Sequence, residues 1–236
     1  MLNSLGKTAY KNLANVVSIL GVVPVAMLFV EDGYQYLVPL IVYNNIMDDL
    51  DGILAAKLNI KSQFGAILDN VCDAFAHTVF VMVVGMQVWT DQGGVYGGVC
   101  AALSLVAATS LVLRVVSRLD PAAVTATGSP TNELARHMLF ILLLSQIFGF
   151  ARAPLLITAF VLHTVSMLVP YRMPWLIRSL TKSATAIALV NISLVVAWLV
   201  PHATPLIAAA FLLSYLLSFA WGGISWIKSM KAGAPS

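Results

Sequence analysis

The chain has 236 residues, 60% of them hydrophobic and only 10% charged, with a mean hydropathy of +0.90. Soluble domains carry about 25% charged residues, so the composition excludes a water-soluble enzyme and points to an integral membrane protein. A net charge of +3, without any basic run interleaved with aromatics, excludes a nucleic-acid partner.

In residues 1–13, Leu2, Leu5 and Ala9 fall at helical spacing with Lys7 and Lys11 turned elsewhere. This predicts an interfacial helix lying on the membrane, or a frayed tail. Positive charge ahead of an apolar stretch resembles a signal peptide, but no small-x-small cleavage site follows, so a retained first helix is expected. Apolar runs then occupy 14–30, 34–57, 64–90, 94–117, 134–150, 153–170, 184–200 and 204–227. A span needs about 20 residues, and the runs lack the alternation of a barrel. The expected fold class is all-α: one membrane domain over 1–236, a bundle of about eight transmembrane helices with a range of six to eight.

With the N-terminus in the cytoplasm, the cytoplasmic ends hold Lys7, Lys11, Lys57, Lys61, Arg114, Arg118, Arg136, Arg172, Arg178, Lys182, Lys228 and Lys231. The opposite side keeps Arg152 alone. This asymmetry follows the positive-inside rule and places both termini in the cytoplasm. Ser117 to Glu133, with Asp120-Pro121 and Gly128-Ser129-Pro130, reads as a cytoplasmic loop. Gly94-x3-Gly98, overlapping Gly93-x3-Gly97, predicts close helix packing, within the chain or between two copies. Cys72 and Cys100 read as buried small hydrophobes, with no disulfide framework or zinc spacing around them.

Between positions 48 and 73 the chain reads Asp48-x2-Asp51-Gly52-x2-Ala55-x9-Gly65-x3-Asp69-x3-Asp73, and that stretch holds five of the ten acidic residues. A carboxylate in a bilayer costs about 2.5–3.5 kcal/mol, so a cluster of them predicts a bound divalent cation. Asp48 and Asp51 at i, i+3 share one helix face, as do Asp69 and Asp73 at i, i+4. Asp49 is turned about 100° away. The link Asn59-Ile60-Lys61-Ser62 is short enough to make the two helices antiparallel neighbours, so four carboxylates converge on one cavity. Asp51 precedes Lys57 by six residues, about 9 Å below the helix end. Oxygen-only ligands select Mg²⁺ or Mn²⁺. Gly52, Ala55 and Gly65 leave open space for a flat ring or a phosphate. A transporter's ion pathway, or carboxylates paired to arginines, are the alternatives, and both leave the interleaved small residues unexplained.

The pattern resembles the signature of the CDP-alcohol phosphotransferase family, Asp-x2-Asp-Gly-x2-Ala-Arg-x8-Gly-x3-Asp-x3-Asp. Every spacing agrees, and seven of the eight signature positions hold the family's residue. Ala56 stands where the family has arginine, and Lys57 follows it. The resemblance implies cleavage of a CDP-linked donor and transfer of its phosphoryl-alcohol part to a second alcohol, with release of CMP. It implies Asp48, Asp51, Asp69 and Asp73 as ligands of Mg²⁺ or Mn²⁺, and Asp73 also as the catalytic base toward the acceptor hydroxyl. Gly52, Ala55 and Gly65 would line the CDP pocket, with Lys57 supplying part of the missing arginine's charge. The implied partners are the donor, the small alcohol acceptor, membrane lipids and a second copy in a homodimer. The implied place is a bacterial or archaeal cytoplasmic membrane, with the site facing the cytoplasm.

Leu113-Arg114, Gly128-Ser129-Pro130 and Val169-Pro170-Tyr171-Arg172 resemble features of phosphatidylserine synthases in their order along the chain. That resemblance implies CDP-diacylglycerol as donor and serine as the favoured acceptor. Arg114, Arg118, Arg136, Arg172 and Ser129 would then grip the acceptor or headgroup, unless the arginines serve only as positive-inside anchors. Leu68 to Ala74 resembles choline and ethanolamine phosphotransferases, which pair a CDP-alcohol with diacylglycerol. Phosphatidylglycerophosphate synthases, phosphatidylcholine synthases and an inactive scaffold stay open. His77, one turn beyond Asp73, is either a partner of the base or a packed histidine. His137 and His163 carry no readable signal.

Overall fold

The computed structural model describes residues 10–119, 127–177 and 184–232. Eight α-helices follow one another in the order of the apolar runs, and no strand longer than an isolated bridge occurs among these residues. α1 (Leu13–Val22) continues as a 3-10 turn over Val23–Phe29, because Pro24 at its start has no N–H to give an α-helical ladder. α2 is Leu37–Lys57, α3 Gln63–Gln92, α4 Gly94–Leu119 and α5 Thr131–Phe148. α6 is Ala153–Leu168, α7 Ala184–Leu199 and α8 Thr204–Lys231. Most of the interfacial helix expected over 1–13 lies outside the described residues, as do Asp120-Pro121, Arg178 and Lys182.

α3, α4 and α8 are each long and apolar enough to cross a membrane unaided; the spans Leu13–Phe29, Ala153–Leu168 and Ile187–Leu199 are shorter but apolar. The surface agrees with a lipid solvent. Val95 is 81% exposed, Leu206 77% and Phe148 62%, and water would penalise such a surface heavily. The interior is also apolar, built on Phe80, Val84, Leu111, Leu139, Leu156, Phe160 and Leu194. The chain is an integral membrane helical bundle.

Two boundaries move from the expected loop between the fourth and fifth spans. α4 runs on to Leu119, and α5 starts at Thr131, so Thr131, Asn132 and Glu133 are helical and buried. Pro130 leads in with extended backbone, and Glu133 sits in the first turn, where the helix dipole favours an acid. Gly128 holds φ of +65°, and a Cβ there would lie 2.6 Å from the carbonyl oxygens of Ser166 and Met167. Only glycine lets this segment run so close to the end of α6. Its N–H donates to Tyr171 O at 2.7 Å, and Ser129 N–H donates to Ser166 O at 2.8 Å.

α3 and α4 are joined by Gly93 and Gly94, both at positive φ. Of the glycines noted in the sequence, Gly97 and Gly98 pack within the chain: a Cβ on Gly98 would lie 2.6 Å from the Trp89 ring and one on Gly97 3.2 Å from the Trp89 backbone, whereas one on Gly93 or Gly94 would meet nothing within 4 Å. At that end Arg152, the cation set apart from all others in the sequence, pairs with Asp91 and donates to the Tyr34 hydroxyl at 3.1 Å.

At 30 residues α3 is about 45 Å long, whereas a bilayer's hydrocarbon is about 30 Å thick. α5 has 18 residues, about 27 Å. The two lengths reconcile because α5 begins well along α3: Thr131 meets His77, 14 residues past the start of α3. The first turns of α3 therefore project beyond the level where α5 begins.

Candidate metal centre

α2 ends at Lys57, and Leu58 and Ile60 donate backbone N–H groups back to its last carbonyls while Asn59 turns at φ of +54°. Ser62 then caps α3, its hydroxyl accepting from Gly65 N–H at 3.0 Å. This tight reversal sets α2 and α3 side by side. Carboxylate oxygens of Asp48, Asp69 and Asp73 come within 4.8 Å of one another. Asp48 is 8% exposed, and Asp69 and Asp73 are partly buried.

Asp51 stands outside that trio. It is buried and accepts a short hydrogen bond from the Ser18 hydroxyl of α1. Beside it opens a cavity of about 290 Å³ whose lining includes Asn15, Ser18, Asp51, Gly52, Ala55, Lys61, Gly65 and Asp69. The three small residues named from the sequence all face this cavity. A Cβ on Gly52 would meet nothing within 4 Å, so its missing side chain widens the cavity. Gly65 is crowded: a Cβ would lie 2.9 Å from Asn15 Oδ1 and 3.1 Å from Ser62 Oγ. Lys57 is exposed and outside the cavity lining, whereas Lys61 belongs to it. The lysine that lines the cavity is therefore the one from the reversal, and Lys57, in the last turn of α2, is not among the lining residues.

A chain of polar groups backs the trio. Asn132 Nδ2 donates to Asp48 Oδ2 at 2.8 Å, Thr131 Oγ1 donates to Asn132 Oδ1 at 3.4 Å, and His77 Nδ1 lies 3.1 Å from Thr131 Oγ1. His77 thus reaches Asp48 through α5. Asp49, turned away as its spacing requires, accepts from Asn191 Nδ2 of α7 at 2.9 Å. Asn45 donates to Asn191 Oδ1 at 2.6 Å and accepts from Arg136 Nε at 2.9 Å, while Arg136 Nη1 pairs with Glu133 at 3.0 Å. Asn15, Ser18, Lys61, Asn132 and Asn191 were missed in the sequence. For Asn15, Ser18 and Asn191 the available signal was a polar side chain inside an apolar run, which demands a partner; Lys61 and Asn132 lie outside those runs and gave none.

The arginines divide. Arg118 and Arg172 are exposed. Arg114 and Arg136, expected at the surface, are 3% and 1% exposed. Arg114 donates to the carbonyls of Thr127, Met167 (3.1 Å) and Gly128 (3.4 Å), because these chain ends have no helical partner and accept a guanidinium instead. Ser129 is fully buried, its hydroxyl 2.8 Å from that of Ser166.

The trio fits a hard divalent cation. Its donors are oxygen alone, they lie close enough to share one ion, and its ligand Asp48 is oriented by an outer hydrogen bond. The arrangement can hold a charged, phosphate-bearing group against the cation while small residues leave room for a ring. No curated protein matches the chain. A model of the CDP-alcohol phosphatidyltransferase family matches residues 11–229. Spacing, converging carboxylates and that match agree: the chain belongs to the CDP-alcohol phosphatidyltransferase family, metal-dependent transferases of substituted phosphate groups that join a CDP-alcohol donor to an alcohol acceptor in phospholipid synthesis.

Proposed function

We propose that this protein takes CDP-diacylglycerol as donor and a small polar alcohol, with serine favoured, as acceptor, working as one domain with its site at the cytoplasmic face. The observation that carries this reading is the meeting of Asp48, Asp69 and Asp73 beside a small-residue cavity. A lipid donor is supported by a second cavity of about 380 Å³, walled by Ile46, Leu50, Ile53 and Ile192 between α2 and α7. It offers an apolar chain room one helix face away from the carboxylates. The clustering of lysine and arginine at the same end of the bundle supports the cytoplasmic face.

Asp48, Asp69 and Asp73 would hold Mg²⁺ or Mn²⁺, with Asp51 poised beside them on Ser18. Such an ion, when bound, offsets the charge of the diphosphate oxygens. Gly52, Ala55 and Gly65 admit the cytidine and diphosphate, and Lys61, in place of the signature arginine, faces the phosphates. Asp73 accepts the proton of the acceptor hydroxyl. The freed oxygen attacks the phosphorus bearing the diacylglycerol, the bond from that phosphorus to the bridging oxygen breaks, and CMP leaves with the bridging oxygen. Arg118 and Arg172 are exposed arginines and suit an acceptor's carboxylate. Arg114 and Ser129 act on the acceptor through the segment around Gly128 that they hold in place, and Arg136 through Asn45 and Glu133. The family's habit of pairing makes a homodimer part of the reading.

The test is CMP release by the purified protein from CDP-diacylglycerol with Mg²⁺ or Mn²⁺ and serine, glycerol 3-phosphate or choline. Release that requires serine supports the proposal. Turnover of CDP-choline or CDP-ethanolamine with diacylglycerol would instead give the other donor class, and no release with any pair would give an inactive member.

A further inference from the structure

Gly65 of α3 turns its bare face to two polar atoms from different parts of the chain. A Cβ there would lie 2.9 Å from Asn15 Oδ1, carried by α1, and 3.1 Å from Ser62 Oγ, in the reversal between α2 and α3. Both side chains line the cavity of about 290 Å³ that also holds Asp51 and Asp69. Asn15 is half-buried and Ser62 exposed, so a molecule in the cavity can reach them.

The bonds already made settle what each atom has left to offer. Asn15 Nδ2 donates to Asn12 Oδ1 at 2.9 Å, which leaves Asn15 Oδ1, an atom that only accepts. Ser62 Oγ accepts from Gly65 N–H at 3.0 Å, and its own O–H remains to donate. Among the described residues neither function is taken up by another protein group.

One acceptor and one donor, both uncharged, therefore stand beside a glycine. A bare acceptor repels phosphate oxygens, so this corner suits a different part of a nucleotide. Asp69 follows Gly65 by four residues, about 6 Å along α3, which is roughly the reach of a ribose between base and phosphate. Cytosine gives a hydrogen from its 4-amino group and accepts at N3. Uracil accepts at O4 and gives a hydrogen from N3, so it reverses both positions.

We propose that Asn15 Oδ1 and the Ser62 hydroxyl read the N4 and N3 edge of cytosine and make the site select cytidine over uridine nucleotides. The inference rests on the reading of this cavity as the CDP pocket. Adenine carries the same donor and acceptor on a larger ring, so the pair separates the two pyrimidines and not pyrimidine from purine.

The experiment titrates the full chain in nanodiscs, with Mg²⁺ and labelled CDP-diacylglycerol, against CMP, UMP and 2′-deoxy-CMP. CMP should displace the donor about tenfold more tightly than UMP, the worth of one hydrogen bond exchanged for an opposed pair. Asn15→Leu should weaken CMP and bring the ratio close to one. Ser62→Asp keeps an oxygen to cap α3 but has no hydroxyl hydrogen to give. Its added charge weakens both nucleotides alike, so the ratio is the readout, and it should fall. In both variants 2′-deoxy-CMP should follow CMP, because the contact is with the base. Equal displacement by CMP and UMP in the unaltered protein, or a ratio unmoved by Asn15→Leu, would overturn the proposal. So would a loss in Asn15→Leu that CMP and UMP share and 2′-deoxy-CMP escapes, which would make Asn15 a reader of ribose. If the labelled donor binds and none of the three nucleotides displaces it, the CDP pocket itself fails, and this inference with it.

Discussion

Asn132 Nδ2 donates to Asp48 Oδ2 across 2.8 Å, tying the first turn of α5 to a carboxylate 84 residues earlier in the chain. A carboxylate that is to share a cation with Asp69 and Asp73, as proposed, would need one oxygen held, and Asn132 is placed to hold it. Outer hydrogen bonds of this kind are worth about 10–100-fold in metal affinity or activity. Asn132→Ala should raise the Mn²⁺ concentration for half-maximal CMP release by about that factor, with most turnover regained at saturating metal. An unchanged half-saturation would disconnect Asn132 from the ion.

Asp73 and Asp69 should separate in their effects. Asp73→Asn keeps an oxygen for the proposed cation but removes the proposed proton acceptor, so turnover should vanish while CDP-diacylglycerol still binds in the presence of Mg²⁺. Asp69→Asn lies at both the metal trio and the cavity, so donor binding should weaken together with turnover. Equilibrium binding of a labelled donor to each variant checks this, and normal turnover by Asp73→Asn would remove it as the base.

Gly52 and Gly65 make a second contrast. Gly52→Val enters open space, so the melting temperature should hold while the donor KM rises about tenfold or more. Gly65→Ala presses on Asn15 and Ser62 and disturbs the cap of α3, which should cost about 0.5–2 kcal/mol of stability. Thermal unfolding and donor kinetics on both variants distinguish a wall from a hinge of the fold.

Lys61, not Lys57, lines the cavity. Lys61→Ala should raise the donor KM and flatten its dependence on salt, because a cation near a diphosphate acts through a screened field. Lys57→Ala should leave both unaltered. The reverse ranking would return the signature arginine's role to the helix itself.

Arg136 pairs with Glu133 where both side chains are almost wholly buried, at 1% and 2% exposure. Breaking such a pair from one side costs about 3–5 kcal/mol, whereas replacing both partners with apolar groups is often close to neutral. Arg136→Met should therefore lower the melting temperature sharply, and Glu133→Leu with Arg136→Met should restore most of it. A stable Arg136→Met protein with a raised serine KM would make Arg136 a direct substrate contact.

Much of this protein follows from near-neighbour geometry and was legible along the chain. The helical period alone puts Asp48 with Asp51 and Asp69 with Asp73. The short link through Lys61 and Ser62 makes their helices neighbours, and the lengths of the apolar runs make them a membrane bundle. What needed the folded chain was every relation across sequence distance. Asn132 behind Asp48, Ser18 on Asp51, Asn191 on Asp49, and the burial of Arg114 and Arg136 all depend on which helix covers which. A polar residue in an apolar run announces that it must be satisfied, since lipid offers no hydrogen bonds. Its partner is chosen by packing of the whole bundle, and the local period of a helix holds no record of that choice.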